Sequence, residues 1–140
     1  MAKVRRKSIM VVDDNASIRE IIARALREEG YTVVTARDGF DALNKTAKRT
    51  FDLVFLDISL PGQSGLDVLS KLNSIHPLTP VIILTAVQDV AYEKVAMRRQ
   101  AVAYLRKPCG VGEITEMANR MLSRRRGRKM KETVALKNKR

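Results

Sequence analysis

The stretch Leu53-Val54-Phe55-Leu56-Asp57 decides the fold class of this 140-residue chain. Its four consecutive apolar residues are typical of a strand that is covered on both faces, as in a parallel sheet between two layers of helices. Comparable apolar runs occur at residues 9–12, 81–84 and 101–105. A more polar, β-branched run at residues 31–35 predicts a fifth strand at an edge of the sheet.

Amphipathic stretches between these runs predict helices. The first helix has a capping-box pattern at its start, Ser17 with Glu20, and ends before Gly30, which suits a left-handed residue after a helix. Helical spacing of apolar residues also marks residues 66–75 and 114–122. The apolar stripe of the first helix consists of Ile18, Ile21, Ile22, Ala25 and Leu26.

Thinner apolar stripes predict two further helices, around residues 40–49 and 89–100. These stripes are Phe40, Leu43 and Ala47 in the first helix and Val90, Ala91 and Val95 in the second. Strand and helix therefore alternate five times along the chain. This alternation predicts an α/β fold with a doubly wound, five-stranded parallel sheet and five helices.

Charge is distributed unevenly along the chain, whose formal net charge is +12. Residues 1–7 contribute +4 and residues 124–140 contribute +8, while residues 8–123 carry 14 basic and 14 acidic side chains. A neutral body does not indicate a nucleic-acid domain, but the basic segments can contact phosphates or lipid headgroups. We expect a basic N-terminal extension (1–7), one folded domain (8–123) and a basic C-terminal tail or linker (124–140).

The lack of a recognisable signal peptide or membrane span and the single cysteine favour a cytoplasmic location. The apolar runs fall far short of the roughly 18 residues that a membrane-spanning helix needs. The run at residues 9–12, which follows the basic N-terminus, is too short for a signal peptide. Cys109 is the only cysteine, so the chain cannot form an internal disulfide.

Polar side chains follow four of the five predicted strands. They are Asp13 and Asp14 after the first strand, Asp57 after the third, Thr85 after the fourth and Lys107 after the fifth. Each of them alone has an ordinary explanation as a cap, a loop residue or a solvated charge. The carboxyl ends of parallel strands share one edge of the sheet, however, and ligands bind at this edge in open sheets. The five residues together therefore predict a site.

The chemistry of this predicted site suits phosphoryl transfer. Three carboxylates on one edge repel one another and require a compensating cation. Ligands that are all oxygen atoms suit Mg²⁺. A metal ion, an ammonium group and a hydroxyl together can neutralise the oxygens of a phosphoryl group during transfer. A carboxylate in such a cluster can itself act as the nucleophile and form an acyl phosphate.

The sequence resembles the receiver domains of two-component response regulators over about residues 7–123. The matching motifs are Val11-Val12-Asp13-Asp14, residues 55–62 with Gly65, Ile83-Leu84-Thr85-Ala86, Tyr104-Leu105-Arg106-Lys107-Pro108, and the turn Arg37-Asp38-Gly39. This resemblance implies the flavodoxin-like fold of the chemotaxis response regulator, with strand order 2-1-3-4-5.

The resemblance also implies roles for the residues of the predicted site. Asp57 is then the phosphoacceptor, and Lys107 pairs with the phosphoryl oxygens. Asp13 and Asp14 hold Mg²⁺ together with Asp57 and the backbone carbonyl of Ser59. The phosphoryl donor is a sensor histidine kinase or a histidine phosphotransfer protein.

The same resemblance implies a conformational switch. Thr85 then moves to hydrogen-bond the phosphate, Tyr104 turns inward behind it, and the Lys107–Pro108 peptide bond is cis. The output face comprises about residues 89–122. It would bind an output partner, an effector domain missing from this chain, or a second copy of the chain in a homodimer.

Three residues near the matched motifs are interpreted structurally. Gln100 stands where the family commonly has glycine, and it is interpreted as a local variation in the output face that costs little if Gln100 can adopt the backbone conformation of that glycine. Cys109 is interpreted as a small packing residue. His76 is interpreted as a surface residue, since the phosphodonor histidine belongs to a partner.

Two other functions remain open at the level of sequence. A Mg²⁺-dependent phosphohydrolase with an aspartyl nucleophile commonly needs a second acid two residues after the nucleophile, where this chain has Ser59. Nucleic-acid binding through the basic tail would depend on charge alone, because residues 124–140 contain no aromatic side chain. We therefore expect a signalling domain that catalyses only its own phosphorylation and dephosphorylation.

Overall fold

The computed structural model describes residues 6–60, 62, 64–86 and 90–122. The strands are β1 (Ser8–Val12), β2 (Thr32–Ala36), β3 (Leu53–Leu56), β4 (Val81–Thr85) and β5 (Ala103–Arg106). The helices are α1 (Ala16–Glu28), α2 (Gly39–Lys48), α3 (Gly65–Ile75), α4 (Val90–Arg98) and α5 (Val111–Leu122).

The strands form one parallel sheet in the order β2-β1-β3-β4-β5. This arrangement confirms the predicted doubly wound α/β fold. It also confirms that the most polar strand, β2, lies at an edge of the sheet. The parallel register places all five carboxyl ends of the strands along one edge.

Two apolar cores lie on opposite faces of the sheet. Successive side chains of a strand point to opposite faces, so a strand covered on both sides is apolar throughout. In the first core, alternate residues of β1 and β3 pack against α2, α3 and α4. In the second core, the remaining residues of these strands pack against α1 and α5. The strand residues are Met10, Val12, Val54 and Leu56 in the first core and Ile9, Val11, Leu53 and Phe55 in the second.

The start of α1 differs from the sequence prediction. The helix is capped by Asn15, whose side-chain oxygen accepts a hydrogen bond from the Ile18 amide at 3.0 Å. Because the helix begins at Ala16, Ser17 already lies within the first turn, and the predicted capping box is wrong by two residues. Gly30 has a φ of +100°, which confirms its left-handed conformation after the helix.

The buried face of α2 also differs from the predicted stripe. Phe40 is 62% exposed and Ala47 is exposed, while the buried positions are Gly39, Ala42 and Thr46. Leu43, the third residue of the predicted stripe, packs against the first core. Gly39, Ala42 and Thr46 form the buried face of this helix, so the predicted stripe is wrong at Phe40 and Ala47 and confirmed at Leu43.

In α4, one apolar residue of the predicted stripe is found at the core. Val95 packs against the first core, and Ala96 is fully buried in it. Ala91, by contrast, is exposed. The side chain of Val90 lies outside the described part of the structure, so the predicted stripe is confirmed at Val95 and wrong at Ala91.

The structure tests the interpretations of Gln100, Cys109 and His76. Gln100 adopts a φ of +72°, which confirms the expected glycine-like conformation. Cys109 is half-buried and packs against the second core, as expected. The surface assignment of His76 is wrong, because the residue is half-buried and its Nε2 lies 2.7 Å from the Thr46 carbonyl oxygen. The turn after α3 brings this ring against α2.

Gly65 starts α3 at a very close approach to the preceding loop. A Cβ atom at this position would lie 2.1 Å from the Ile58 Cα atom. The Gly65 amide donates a hydrogen bond to the Ile58 carbonyl at 3.1 Å. Only glycine fits this contact, which holds the loop after Asp57 in place.

Candidate functional site

The carboxyl ends of the strands bring most of the predicted site residues to one edge. Val12 and Leu56 are paired in register, so Asp13 and Asp57 begin adjacent loops. The amide of Asp13 donates to the Ala36 carbonyl at 3.1 Å, and the amide of Asp57 donates to the Val12 carbonyl at 3.0 Å. The two aspartates are thus fixed by the backbone of neighbouring strands.

Three carboxylates converge at this edge. Asp13, Asp14 and Asp57 each offer an oxygen atom, and these atoms lie within 4.8 Å of one another. The side chains of Asp13 and Asp57 are buried, with whole-residue exposures of 2% and 5%, whereas Asp14 is exposed. Burying two acidic groups so close together requires compensation, because desolvation and like charge both disfavour ionised carboxylates.

Lys107 provides part of this compensation. Its ammonium group hydrogen-bonds to Asp13 Oδ2 and lies 3.2 Å from Asp57 Oδ2. Burial lowers the pKa of Lys107, but the hydrogen bond to Asp13 and the charges of Asp57 and Asp13 outweigh this effect, and the pKa is raised above its usual value. Lys107 is therefore a stable cation between the two buried carboxylates.

Backbone amides hold the other oxygen of each buried carboxylate. Asp13 Oδ1 accepts from the Asn15 amide at 2.9 Å, and Asp57 Oδ1 accepts from the Ser59 amide at 2.9 Å. Each carboxylate therefore has one oxygen bound to the backbone and the other bound to Lys107. This arrangement fixes the orientation of the Asp57 carboxylate.

Thr85 ends β4, and Tyr104 lies on the neighbouring strand β5. Thr85 is fully buried, and its carbonyl accepts a hydrogen bond from the Lys107 amide at 2.8 Å. Tyr104 is half-buried and packs against the first core. The Lys107–Pro108 bond is cis, as the family resemblance implied.

Arg19 is a residue of the site that the sequence analysis missed. Its guanidinium Nη1 donates to the backbone carbonyl of Asp13 at 2.7 Å. The residue lies in α1, on a helix turn that faces the loop after β1. The only sequence feature that could predict this contact is a basic residue six positions after Asp13. Such a residue looks the same in the sequence as an ordinary solvated charge.

The donor set fits a divalent cation. The side chains of Asp13, Asp14, Asp57 and Lys107 together carry a formal charge of −2, which one divalent ion would balance. The three clustered side chains all offer carboxylate oxygens, the type of ligand that hard cations such as Mg²⁺ and Ca²⁺ prefer. The described residues can therefore hold a metal ion at this edge.

Two further observations concern the described part of the chain. None of its helices combines the length and the apolar character that crossing a bilayer requires. The predicted tail at 124–140 and all of the N-terminal extension except Arg6 and Lys7 lie outside the described residues.

Known proteins are similar to this chain in both sequence and fold. Residues 9–119 match the family described as the response regulator receiver domain. The chain is 37% identical over 120 residues to the DNA-binding transcriptional regulator NtrC of Escherichia coli K12, covering 86% of this chain and 26% of that protein. It is 39% identical over 121 residues to the probable transcriptional regulatory protein TcrX of Mycobacterium tuberculosis, covering 86% of this chain and 51% of that protein.

This chain thus spans about a quarter to a half of the length of these curated relatives. A solved structure, a CheY-like response regulator receiver domain protein from Methanospirillum hungatei JF-1, superimposes with a TM-score of 0.80 at 26% identity, covering 91% of this chain and 96% of that one. The family match, the strand order and the acidic edge agree with one another. The chain therefore belongs to the receiver domains of two-component response regulators.

Proposed function

We propose that this chain is a phosphoryl-accepting signalling switch in which Asp57 is the phosphoacceptor. The observation that supports this most strongly is the environment of the Asp57 carboxylate. One of its oxygens is held by the Ser59 amide at 2.9 Å, and the other lies 3.2 Å from the Lys107 ammonium group. An oriented carboxylate beside a fixed cation is arranged to attack phosphorus while the cation neutralises the phosphoryl oxygens.

Asp13, Asp14, Asp57 and the backbone carbonyl of Ser59 would hold Mg²⁺ at this edge. When bound, the ion supplies positive charge that neutralises the phosphoryl oxygens during transfer. The clustered carboxylate oxygens and the formal charge of −2 on the four charged side chains support this assignment.

The phosphoryl donor is a phosphohistidine of a sensor histidine kinase or a phosphotransfer protein. A carboxylate oxygen of Asp57 attacks phosphorus, the phosphorus–nitrogen bond breaks, and an acyl phosphate forms. The donor imidazole keeps the bonding electron pair and takes up a proton from solvent. Hydrolysis later returns the carboxylate of Asp57 and releases inorganic phosphate.

An apolar hollow beside the site offers the donor a place to bind. It is lined by Ile18, Ile21, Ile22, Pro108, Cys109 and Val111, and Lys107 also lines it. Ile21 and Val111 are large apolar side chains that remain exposed there. Binding of a partner helix would cover this surface and bring its histidine to the acidic edge.

Phosphorylation would act by shifting a population between two conformations. The phosphoryl group adds negative charge beside Thr85 and Lys107, whose backbones are already joined by a hydrogen bond of 2.8 Å. Thr85 would bind the phosphate and Tyr104 would turn inward behind it. Inverting a roughly 1:99 mixture requires about 5.5 kcal/mol of preference for the active form.

The output face would comprise α4, β5 and α5, whose described part is residues 90–122. Arg106 on β5 already bonds to Glu93 on α4 at 2.6 Å, so a change in β5 reaches the surface of α4. The ligand of this face is an output protein, an effector domain of a longer regulator, or a second copy of the chain.

Catalysis would be limited to the chain's own phosphorylation and dephosphorylation, in a cytoplasmic protein. Ser59 stands where an aspartyl phosphohydrolase commonly carries its second acid, which disfavours turnover of external phosphoesters. The switch would occupy residues 8–123, between basic segments at 1–7 and 124–140.

Incubation with acetyl phosphate and Mg²⁺ tests this function. Intact-mass measurement should find one added phosphoryl group on the native chain and none on Asp57→Asn. Omission of Mg²⁺ should abolish the labelling. Labelling of Asp57→Asn to the native extent, or sustained hydrolysis of small phosphoesters, would contradict the proposal.

A further inference from the structure

Both basic segments of the chain are attached to the same end of the sheet. Strand β1 begins at Ser8, directly after residues 1–7, and α5 ends at Leu122, directly before the basic tail. Lys7, Met121 and Leu122 line one surface hollow, so the two attachment points are neighbours. The excess charge of +12 therefore connects to the amino ends of the strands, opposite the acidic edge.

The folded surface at this end is itself basic. Arg6 and Arg49 line a second hollow with the polar residues Ser8, Thr32 and Thr50. Thr50 lines both hollows, so they adjoin. Arg6 and Arg49 are exposed, and the guanidinium carbon of Arg49 lies 4.9 Å from the centre of the Phe51 ring. These cations thus form one continuous surface with Lys7.

Two acidic side chains at this end accept hydrogen bonds from other residues of the domain. Asp52 Oδ2 accepts from the Ser8 amide at 2.8 Å, and Glu29 Oε1 accepts from the Asn119 side chain at 2.9 Å. Glu28 remains exposed at the end of α1. These bonds leave Asp52 and Glu29 less free to pair with the cations of the surface.

Two exposed apolar side chains lie beside these cations. Leu78 is 95% exposed and Ile75 is 49% exposed, and both line the same hollow as Lys7. They belong to the end of α3 and the loop before β4. Exposed apolar side chains next to a basic surface are typical of proteins that bind the interface of an anionic membrane.

We propose that this end of the domain, the basal surface formed by Arg6, Lys7, Arg49, Ile75 and Leu78, binds an anionic lipid bilayer. Its cations Arg6, Lys7 and Arg49 would contact the lipid phosphates. Leu78 and Ile75 would enter the region between headgroups and acyl chains.

A bilayer explains this surface better than a nucleic acid does. Phosphodiester contacts would account for the cations, but they would gain nothing from an exposed leucine. Phe51, the aromatic ring next to Arg49, is only 4% exposed and cannot stack on a base.

Binding in this way would orient the domain. The acidic edge with Asp13, Asp14 and Asp57 lies at the opposite ends of the strands and would be repelled by the same lipids. The phosphorylation site would therefore face away from the bilayer and stay accessible to a partner. This inference is independent of whether Asp57 accepts a phosphoryl group.

Vesicle co-sedimentation of the full chain tests the proposal. Phosphatidylcholine vesicles that contain phosphatidylglycerol should bind the chain, those without it should not, and added salt should weaken binding. Arg6→Gln with Arg49→Gln should weaken binding about fivefold per cation removed. Leu78→Ser should weaken it about tenfold without any change of charge.

Arg37→Gln is the matched control, because Arg37 is an exposed cation near the acidic edge. It should leave vesicle binding within about twofold of the native value. Equal losses in Arg37→Gln and the basal variant would overturn the proposal, as would no binding to anionic vesicles. Binding to short duplex DNA that is tighter than vesicle binding, and insensitive to Leu78→Ser, would assign the surface to nucleic acid instead.

Discussion

Lys107 Nζ lies 3.2 Å from Asp57 Oδ2 and also hydrogen-bonds to Asp13, so a single ammonium group joins two buried carboxylates. The three residues follow strands β5, β3 and β1, and 50 residues or more separate Lys107 from either aspartate in the chain. The same contact stabilises the fold at this edge and prepares the proposed chemistry. Its removal should therefore affect both stability and phosphorylation.

Lys107→Met should lower the free energy of unfolding by about 1–3 kcal/mol, because the buried carboxylates lose their charged donor. Urea unfolding without metal measures this loss. Saturating Mg²⁺ should reduce the difference from the native chain, since the ion replaces part of the missing charge. Lys94→Met, which removes an exposed lysine of α4, serves as the control and should change stability by less than about 0.5 kcal/mol. Equal stability of Lys107→Met and the native chain would contradict this role.

Mg²⁺ should stabilise the native chain by mass action. At a concentration about 100 times its Kd, the ion should add about 2.7 kcal/mol to the free energy of unfolding. Asp13→Asn and Asp14→Asn should each weaken this response, whereas Asp67→Asn, an exposed carboxylate of α3, should retain it. Thermal unfolding at matched ionic strength measures the effect. An equal response in all three variants would show that Mg²⁺ acts elsewhere.

Gly65→Ala should destabilise the fold strongly, by about 3 kcal/mol or more, because its Cβ would lie 2.1 Å from the Ile58 Cα atom. Gly112→Ala in α5 is a matched control, since an added Cβ meets nothing within 4 Å there. That change should instead stabilise the helix by about 0.5–1 kcal/mol. Chemical unfolding of both variants tests the contact, and similar effects of the two changes would disprove it.

Deprotonation of the Tyr31 hydroxyl should lower the free energy of unfolding at high pH. Its hydroxyl donates to Asn119 Oδ1 at 2.5 Å, and burial together with the nearby Glu29 charge raises the pKa of Tyr31 above its usual 10.0. A raised pKa favours the protonated form in the folded state, so this contribution is present below pH 10 and is lost as pH rises through the folded pKa.

Tyr31→Phe should cost about 0.5–1.5 kcal/mol at neutral pH through loss of the hydrogen bond. It should also make the stability curve flatter above pH 10 than that of the native chain. Urea unfolding across this pH range compares the two. An identical slope for both proteins would rule out the assigned titration.

The sequence predicts the sheet better than the helix faces, for a physical reason. A strand covered on both sides must be apolar at every position, as in Leu53–Leu56, and this signal is unambiguous. The contact face of α2 instead uses Gly39, Ala42 and Thr46, whose small side chains allow close packing but carry little apolar signal. The apolar pattern therefore predicts Phe40 at the core, although this side chain is exposed.

The site was largely predictable because parallel strands carry their carboxyl ends to one edge. This rule predicts that Asp13, Asp57 and Lys107 lie together, and the structure confirms it. Arg19 escaped it because its role depends on a contact between a helix side chain and a backbone carbonyl. Such contacts leave no spacing pattern in a single sequence.

We expect Asp57 to carry the phosphoryl group as an acyl phosphate. Borohydride reduces an aspartyl phosphate to homoserine, so reduction after treatment with acetyl phosphate and Mg²⁺ marks the modified position for peptide mass spectrometry. Peptide mass spectrometry should find homoserine at position 57 and unmodified Asp13 and Asp14. Homoserine at position 13 or 14, or phosphate that resists borohydride on a serine, threonine or histidine, would contradict it.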